Sequence, residues 1–201
     1  MPAAHFSTDL DKNEANHSPL SPLTFIERAA AVYPDHCALV YDDVRRNWRD
    51  TYHRCRQFAS ALQRHGIENE DTVALMLPNV PAMYEAHFAI PMAGAVIHAI
   101  NIRLDAEAIA FQLQHGGARV LLTDPEFSEA VASALGQLDE KLLVIDVNDP
   151  AVEAPSSSVT SSTRIFWLPV TPSSSGGCRQ TNGRRSRSAT PPARQVTQKA
   201  L

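Results

Sequence analysis

"TVALMLPNVPAMYEAHFAIPMAGAVIHAIN", Thr72 to Asn101, decides the fold of this 201-residue chain. Its opening, Thr72–Pro78, is a continuous apolar run, the pattern of a strand buried on both faces rather than one. Asn79 and Pro81 then open a helix: proline at the first helical position has φ already set and lacks an N–H that would go unpaired there anyway. Pro91, near the end of that helix, predicts a kink or an early stop. "AVIHAIN" is strand-like again. Strand, helix and strand in succession make one β-α-β unit, the building block of parallel sheets.

The alternation continues downstream. Asp105 is placed to cap "AEAIAFQLQHGG", a helix closed by Gly116. "RVLLTD" reads as a strand, "PEFSEAVASAL" as a helix with proline at its start, and "KLLVIDV" as a further strand. Three successive β-α units predict an α/β fold: a layered, mostly parallel sheet with flanking helices. Upstream, "TFIE" (Thr24–Glu27) fits a capping box for a helix that runs to about Tyr33 and stops at Pro34. "CALVYDD" and "RNWRD" read as two strands joined by a turn at Asp42–Arg46. Asp50 then caps a helix with Tyr52, Cys55, Ala59 and Leu62 at helical spacing, ending at Gly66.

Composition divides the chain into a polar leader (1–23, with Pro2, Pro19 and Pro22), a folded part (24–150) and a Ser/Thr/Arg-rich tail (151–201). Residues 1–150 carry 11 Lys/Arg against 21 Asp/Glu, whereas residues 151–201 carry 7 against Glu153 alone. An acidic body with a basic appendage is the expectation, and the tail, apolar only at "RIFWLPV", reads as disordered. Cys37, Cys55 and Cys178 show no CxxC pairing, which suggests neither a disulfide framework nor a zinc site. No apolar run approaches membrane-spanning length and no signal-like start is present, so the chain reads as soluble and cytoplasmic.

Candidate chemistry is sparse. His36–Cys37 and His53 near Cys55 lack the second pair that would complete a metal site. His87 and His98 lie in apolar elements, where satisfied core histidines are expected. Gly116–Gly117 follows a helix instead of opening one, so it reads as a C-cap and not as a phosphate loop. "SSSGGC" lacks the Gly-Lys-Ser/Thr ending of a Walker loop. "RRSRS" could bind phosphate backbones by charge, but no aromatic residues interleave it, so no nucleic acid is expected as a partner. The residues by themselves yield no catalytic set, no cofactor-binding residue and no metal ligand.

A resemblance adds what the residues do not. "LSPLTFIERAAAVYPDHCALVYDD", "RCRQFASALQRHGI" and Asp71–Asp124 are similar to the N-terminal part of AMP-forming acyl-CoA synthetases, in particular the medium-chain acyl-activating branch of the adenylate-forming enzymes. The most specific pieces are "VALMLPNVPAMYEAHFAIPMAGAV" and "INIRLDAEAIAFQL". The resemblance implies a carboxylic acid, ATP with Mg2+ and CoA as the small molecules. A carboxylate attacks the α-phosphate to give an acyl-adenylate and pyrophosphate, and the CoA thiol then displaces AMP. It also implies a phosphate loop of the type YTSGTTGxPKG and a C-terminal lid with a catalytic lysine. Neither stands in this sequence, so no family site residue is carried over.

The loop is expected a few dozen residues after "VIDVNDP", where the tail lies. Regrouping codons one base earlier makes the first two bases of each present codon the last two of a new one. Thr190–Ala200 then permits YTSGTTGNPKG over eleven consecutive positions. The same shift turns Val170–Ser175 into a permitted GDPEFE and Thr181–Gly183 into DEW. The expectation is a frame change near Pro155–Ser158 and a truncated synthetase, inactive alone, whose sheet lacks neighbours and invites aggregation or a chaperone. Two rivals are a non-catalytic module that pairs with a separate synthetase fragment, and a nucleic-acid-associated protein acting through its basic tail.

Overall fold

A computed structural model of the chain describes residues 13–147 apart from 16 and 19. Helix α1 (Pro22–Val32) leads into a hairpin of β1 (Cys37–Tyr41) and β2 (Val44–Asn47), then the long helix α2 (Trp48–Arg64). The β-α units follow as β3 (Thr72–Met76), α3 (Pro81–Met92), β4 (Val96–Ala99), α4 (Ala106–His115), β5 (Ala118–Thr123), a 3-10 turn at Pro125–Phe127, α5 (Ser128–Leu135) and β6 (Leu143–Asp146). The fold is α/β with a parallel sheet, as the sequence predicts. The expected disorder of 151–201 lies outside the described residues.

Strand order in the four-stranded sheet is β4-β3-β5-β6, with every neighbouring pair parallel. The chain steps from β3 to β4 on one side, then crosses back past β3 to β5 on the other. Right-handed crossovers place α3 on one face of the sheet and α4 and α5 on the opposite face. Alternation along the strands sorts the core accordingly. Val73, Leu75, Val120 and Leu122 meet Ile26, Cys55, Phe58, Leu62 and Ile90 on the face covered by α1, α2 and α3. Ala74, Met76 and Leu121 meet Ile109, Leu113 and Val131 on the other. Val73 through Met76 are therefore wholly buried, which is why the sequence there has no polar alternation. Each side chain such as Leu75 contributes about 1.5–3 kcal/mol by leaving water.

Helix starts differ from the sequence reading in two places. Helix α1 begins at Pro22 because Ser21 is the cap: its hydroxyl accepts the Leu23 N–H at 3.2 Å. The Thr24 hydroxyl donates to the Ser21 carbonyl at 2.8 Å, so Thr24 is not the cap of the expected box. "RNWRD" is not a strand to its end. Asn47 stops β2, and its Oδ1 accepts the Asp50 N–H at 2.8 Å, making Asn47 the cap of α2 and Asp50 a first-turn residue. A carboxylate there opposes the positive end of the helix dipole. Pro91 falls in the last turn of α3, which ends at Met92. Gly94 follows with φ +84°, and a Cβ there would lie 2.7 Å from Asn69 Oδ1, so glycine is required.

Asp71 ties the beginning of β3 to β5. Its Oδ2 accepts the Glu68 N–H at 2.7 Å and the Arg119 guanidinium at 2.7 Å. These contacts, the Glu68 amide first, hold the Asp71 carboxyl below the usual carboxylate range. A carboxylate with a depressed folded-state pKa stabilises the fold above its unfolded value of about 3.9, and that contribution is lost as pH falls through the folded value. Asp71→Asn is expected to be less stable than the parent at neutral pH. In urea denaturation between pH 3 and 7, the gap should close toward the acid end; a gap independent of pH would refute this role.

Candidate functional site

In open parallel sheets, ligands settle beyond the carboxyl ends of the strands, where the chain departs to opposite sides. Here that point lies between β3 and β5. That edge is bordered by Leu77–Val80 after β3, Asn101–Asp105 after β4 and Asp124 after β5. The ladder persists to this edge: the Ile100 N–H reaches the Leu75 carbonyl and the Val147 N–H the Thr123 carbonyl, each at 2.8 Å. Asn79 and Asn101 are exposed on the rim, and Asn101 Oδ1 accepts the Arg103 N–H at 3.0 Å.

The helix starts at this edge do not suit a phosphate. Asp105 Oδ1 accepts the Ala108 N–H at 2.8 Å and caps α4. Asp124 Oδ1 accepts the Glu126 N–H at 2.9 Å and caps the turn before α5. Each carboxylate occupies an N–H that an anion would need and repels the anion as well. Helix α3 begins with Pro81, which has no N–H to offer, and the Val80 N–H is turned to the Pro78 carbonyl at 2.8 Å. Among the described residues, no three His, Cys, Asp or Glu gather as metal ligands would. The described residues therefore fit neither the phosphates of ATP nor their Mg2+.

The histidines and cysteines do not converge. His36 stacks on Tyr33 with ring centroids 5.1 Å apart, while Cys37 Sγ turns to the Leu39 carbonyl. His53 is exposed on the outside of α2 and Cys55 is buried on the inside. His87 is not a core residue as expected: it sits on the solvent face of α3, with Nδ1 2.8 Å from the Met83 carbonyl. The apolar sequence around it concealed that α3 turns one face outward. His98 is half-buried against Gly116, where a Cβ would lie 2.4 Å from its Nδ1. Gly116 is thus the C-cap of α4 and also makes room for an imidazole, while Gly117 takes the left-handed conformation at φ +58°. "SSSGGC" and "RRSRS" lie outside the described residues.

The densest polar cluster is one the sequence reading missed. Glu85 of α3 has no solvent exposure and pairs with Arg46 of β2 and Arg54 of α2. The Arg54 guanidinium grips both carboxylate oxygens, Nε to Oε1 at 2.7 Å and Nη2 to Oε2 at 3.1 Å. Arg46 donates to Oε1 from the other side. Burial pushes the Arg46 guanidinium below its ordinary value, with Glu85 opposing the shift. Burial, followed by the Glu85 charge, raises the neighbouring Cys55 thiol to about 12, so it is no nucleophile. The available signal was one acid in the otherwise uncharged "PAMYEAHFAIPM". A cleft of about 500 Å³ lies at the opposite, amino-terminal edge of the sheet. Its Arg119 is committed to Asp71, and its Gln114 reaches Asp139 at 3.3 Å.

Comparison with known proteins gives the lineage. The family model described as AMP-binding enzyme matches residues 26–193. An acetate–CoA ligase of Humulus lupulus is 53% identical over 127 residues, which are 63% of this chain and 22% of that protein. A peroxisomal trans-cinnamate:CoA ligase of Petunia hybrida is 42% identical over 147 residues, 73% of this chain and 26% of that one. The chain thus spans about a quarter of the length of these curated relatives. Among solved structures, a Rhodopseudomonas palustris protein assigned as a long-chain-fatty-acid CoA ligase superposes with a TM-score of 0.60 and 32% identity, over 65% of this chain and 33% of that one. An O-succinylbenzoate coenzyme A synthetase of Bacillus subtilis, solved with AMP, gives a TM-score of 0.54 and 25% identity over 61% and 30%.

Two outcomes follow from the buried cluster. Glu85→Ala leaves buried Arg46 and partly buried Arg54 without the carboxylate between them and is expected to cost about 3–5 kcal/mol in chemical denaturation. A loss below about 1 kcal/mol would mean that water reaches Arg46 once the carboxylate is gone. At pH 8, iodoacetamide should leave Cys55 unmodified in the native chain and label it in urea, as read by peptide mass mapping.

Proposed function

The chain belongs to the family of AMP-binding enzymes, and from that premise we propose that it is the opening part of an AMP-forming acyl-CoA synthetase, inactive on its own. The reaction of the whole protein is carboxylic acid, ATP and CoA to acyl-CoA, AMP and pyrophosphate. The described residues contribute a sheet and its carboxyl edge, not the groups that steady charge on the α-phosphate. What supports the inactivity is the pair of aspartate caps at the carboxyl edge, together with a tail whose Thr190–Ala200 would permit the phosphate loop if codons were regrouped one base earlier. The relatives sharing this stretch are named for acids as different as acetate and trans-cinnamate, which supports placing acyl choice elsewhere in the protein. No helix among the described residues is long and apolar enough to cross a membrane. The cytoplasm is the compartment proposed, although the relatives include peroxisomal enzymes.

Purified chain supplied with ATP, Mg2+, CoA and either acetate or a medium-chain acid is expected to release no acid-dependent pyrophosphate. Turnover would overturn the proposed inactivity. The tail has its own test at the DNA level. Sequencing through Pro155–Ser158 and translating the adjacent frame should give YTSGTTGNPKG opposite Thr190–Ala200; stop codons in that frame would sink the frame change.

A further inference from the structure

The outer edge of β4 ends the sheet without a partner among the described residues. Val96 and Ile100 direct their N–H groups to Asp71 and Leu75 on the β3 side. Side alternates along a strand, so the N–H and C=O of Ile97 and Ala99 point away from the sheet, about 6.6 Å apart along the strand. Soluble proteins blunt such edges with lysine, proline, bulges or a covering element. Among the described residues this one has none of these devices. "AGAVIHAINI", Ala93 to Ile102, contains no charged residue and no proline, and β4 runs in unbroken register with β3. Val96 is 49% exposed and Ile102 37%, and Ala99 is exposed between them. An uncharged, regular, exposed edge is a template for one more strand.

We infer that the β4 edge is a strand-addition seam whose occupant is an extended segment from the part of an AMP-binding enzyme that this chain does not span. The relatives are about four times as long as their match to this chain, so most of each lies beyond the region compared. The edge offers two donors and two acceptors to an incoming backbone, and its lack of charge suits a buried strand. It repels neither a cationic nor an anionic segment, and it carries no charged side chain that burial would strand. The inference rests on the synthetase reading above and adds the place where a separately supplied remainder would join.

The test co-expresses the full chain with the Humulus lupulus acetate–CoA ligase lacking the stretch that aligns with it, tagged for capture. Capture of the untagged chain is expected. Ala99→Pro removes one outward N–H and leaves the bonds to β3 intact; it should lower capture about ten-fold, as the loss of one main-chain hydrogen bond implies. Its thermal unfolding should match the parent. Val96→Lys, which uses the natural edge-blocking residue, gives an independent second reading. Phe111→Ser, on the exposed side of α4, should leave capture unchanged. Capture insensitive to both edge variants overturns the seam. If the parent chain self-associates and Ala99→Pro makes it monomeric, a second copy is the occupant and the inference also fails. Acetate-dependent pyrophosphate release by the captured pair reads the synthetase assignment separately. A pair that turns over but ignores the edge variants retains the assignment and loses the seam, whereas a pair that neither binds nor turns over loses both.

Discussion

A carboxylate without contact with water persists only where opposite charge and hydrogen bonds replace its hydration. Glu85 meets that condition by drawing Arg46 from the hairpin and Arg54 from α2 onto one turn of α3. The hairpin and the helix that follows it directly are thereby fixed to α3, whose Glu85 lies 39 and 31 residues further along the chain. The position matters because α1, α2 and α3 together cover one face of the parallel sheet. An apolar substitute could fill the same volume with equal or greater stability. The ion cluster instead penalises every arrangement in which the hairpin or α2 slides, because each leaves a buried charge unpaired. The continuous apolar run of β3 tolerates burial on both sides only while that cover stays in place.

The sheet's carboxyl edge shows the same economy of polar groups. Asp105 and Asp124 finish the helices that follow β4 and β5 and so close two potential anion sites. Side chains that look reactive in sequence are likewise spent on structure: His98 packs on Gly116, Cys55 sits inside the core, and Asp71 joins β3 to β5. Among the described residues these groups serve the platform that the sheet and its helices form.

Much of the platform was legible in sequence because its determinants are local. Thr72–Pro78 announced a doubly buried strand, Asp105 capped the helix it was expected to cap, and Pro81 began α3. Misplaced helix starts came from competition between neighbouring caps. Ser21 precedes Thr24 and Asn47 precedes Asp50, and in each pair the earlier residue captured the N–H groups. His87 was misjudged because composition around α3 is apolar almost throughout, so the sequence does not reveal which face meets solvent. The Glu85 cluster was invisible for a different reason: its partners lie 39 and 31 residues away, and no local spacing encodes a meeting set by tertiary packing.

The strand order imposes a history on the nascent chain. Synthesis delivers β3, β4, β5 and β6 in that sequence, but the sheet seats β5 on the side of β3 opposite β4. When β4 has emerged from the ribosome, β3 has one neighbour, and its second flank awaits the residues from Ile100 to Thr123. At translation speeds of roughly 5–20 residues per second, that interval lasts on the order of one to five seconds. For that time Leu121 and Leu122 are absent from a flank they later close, and a strand whose Val73–Met76 end fully buried is half-covered. The crossover that separates α3 from α4 therefore also creates a waiting period during vectorial folding, when the growing polypeptide depends on whatever shields an open strand.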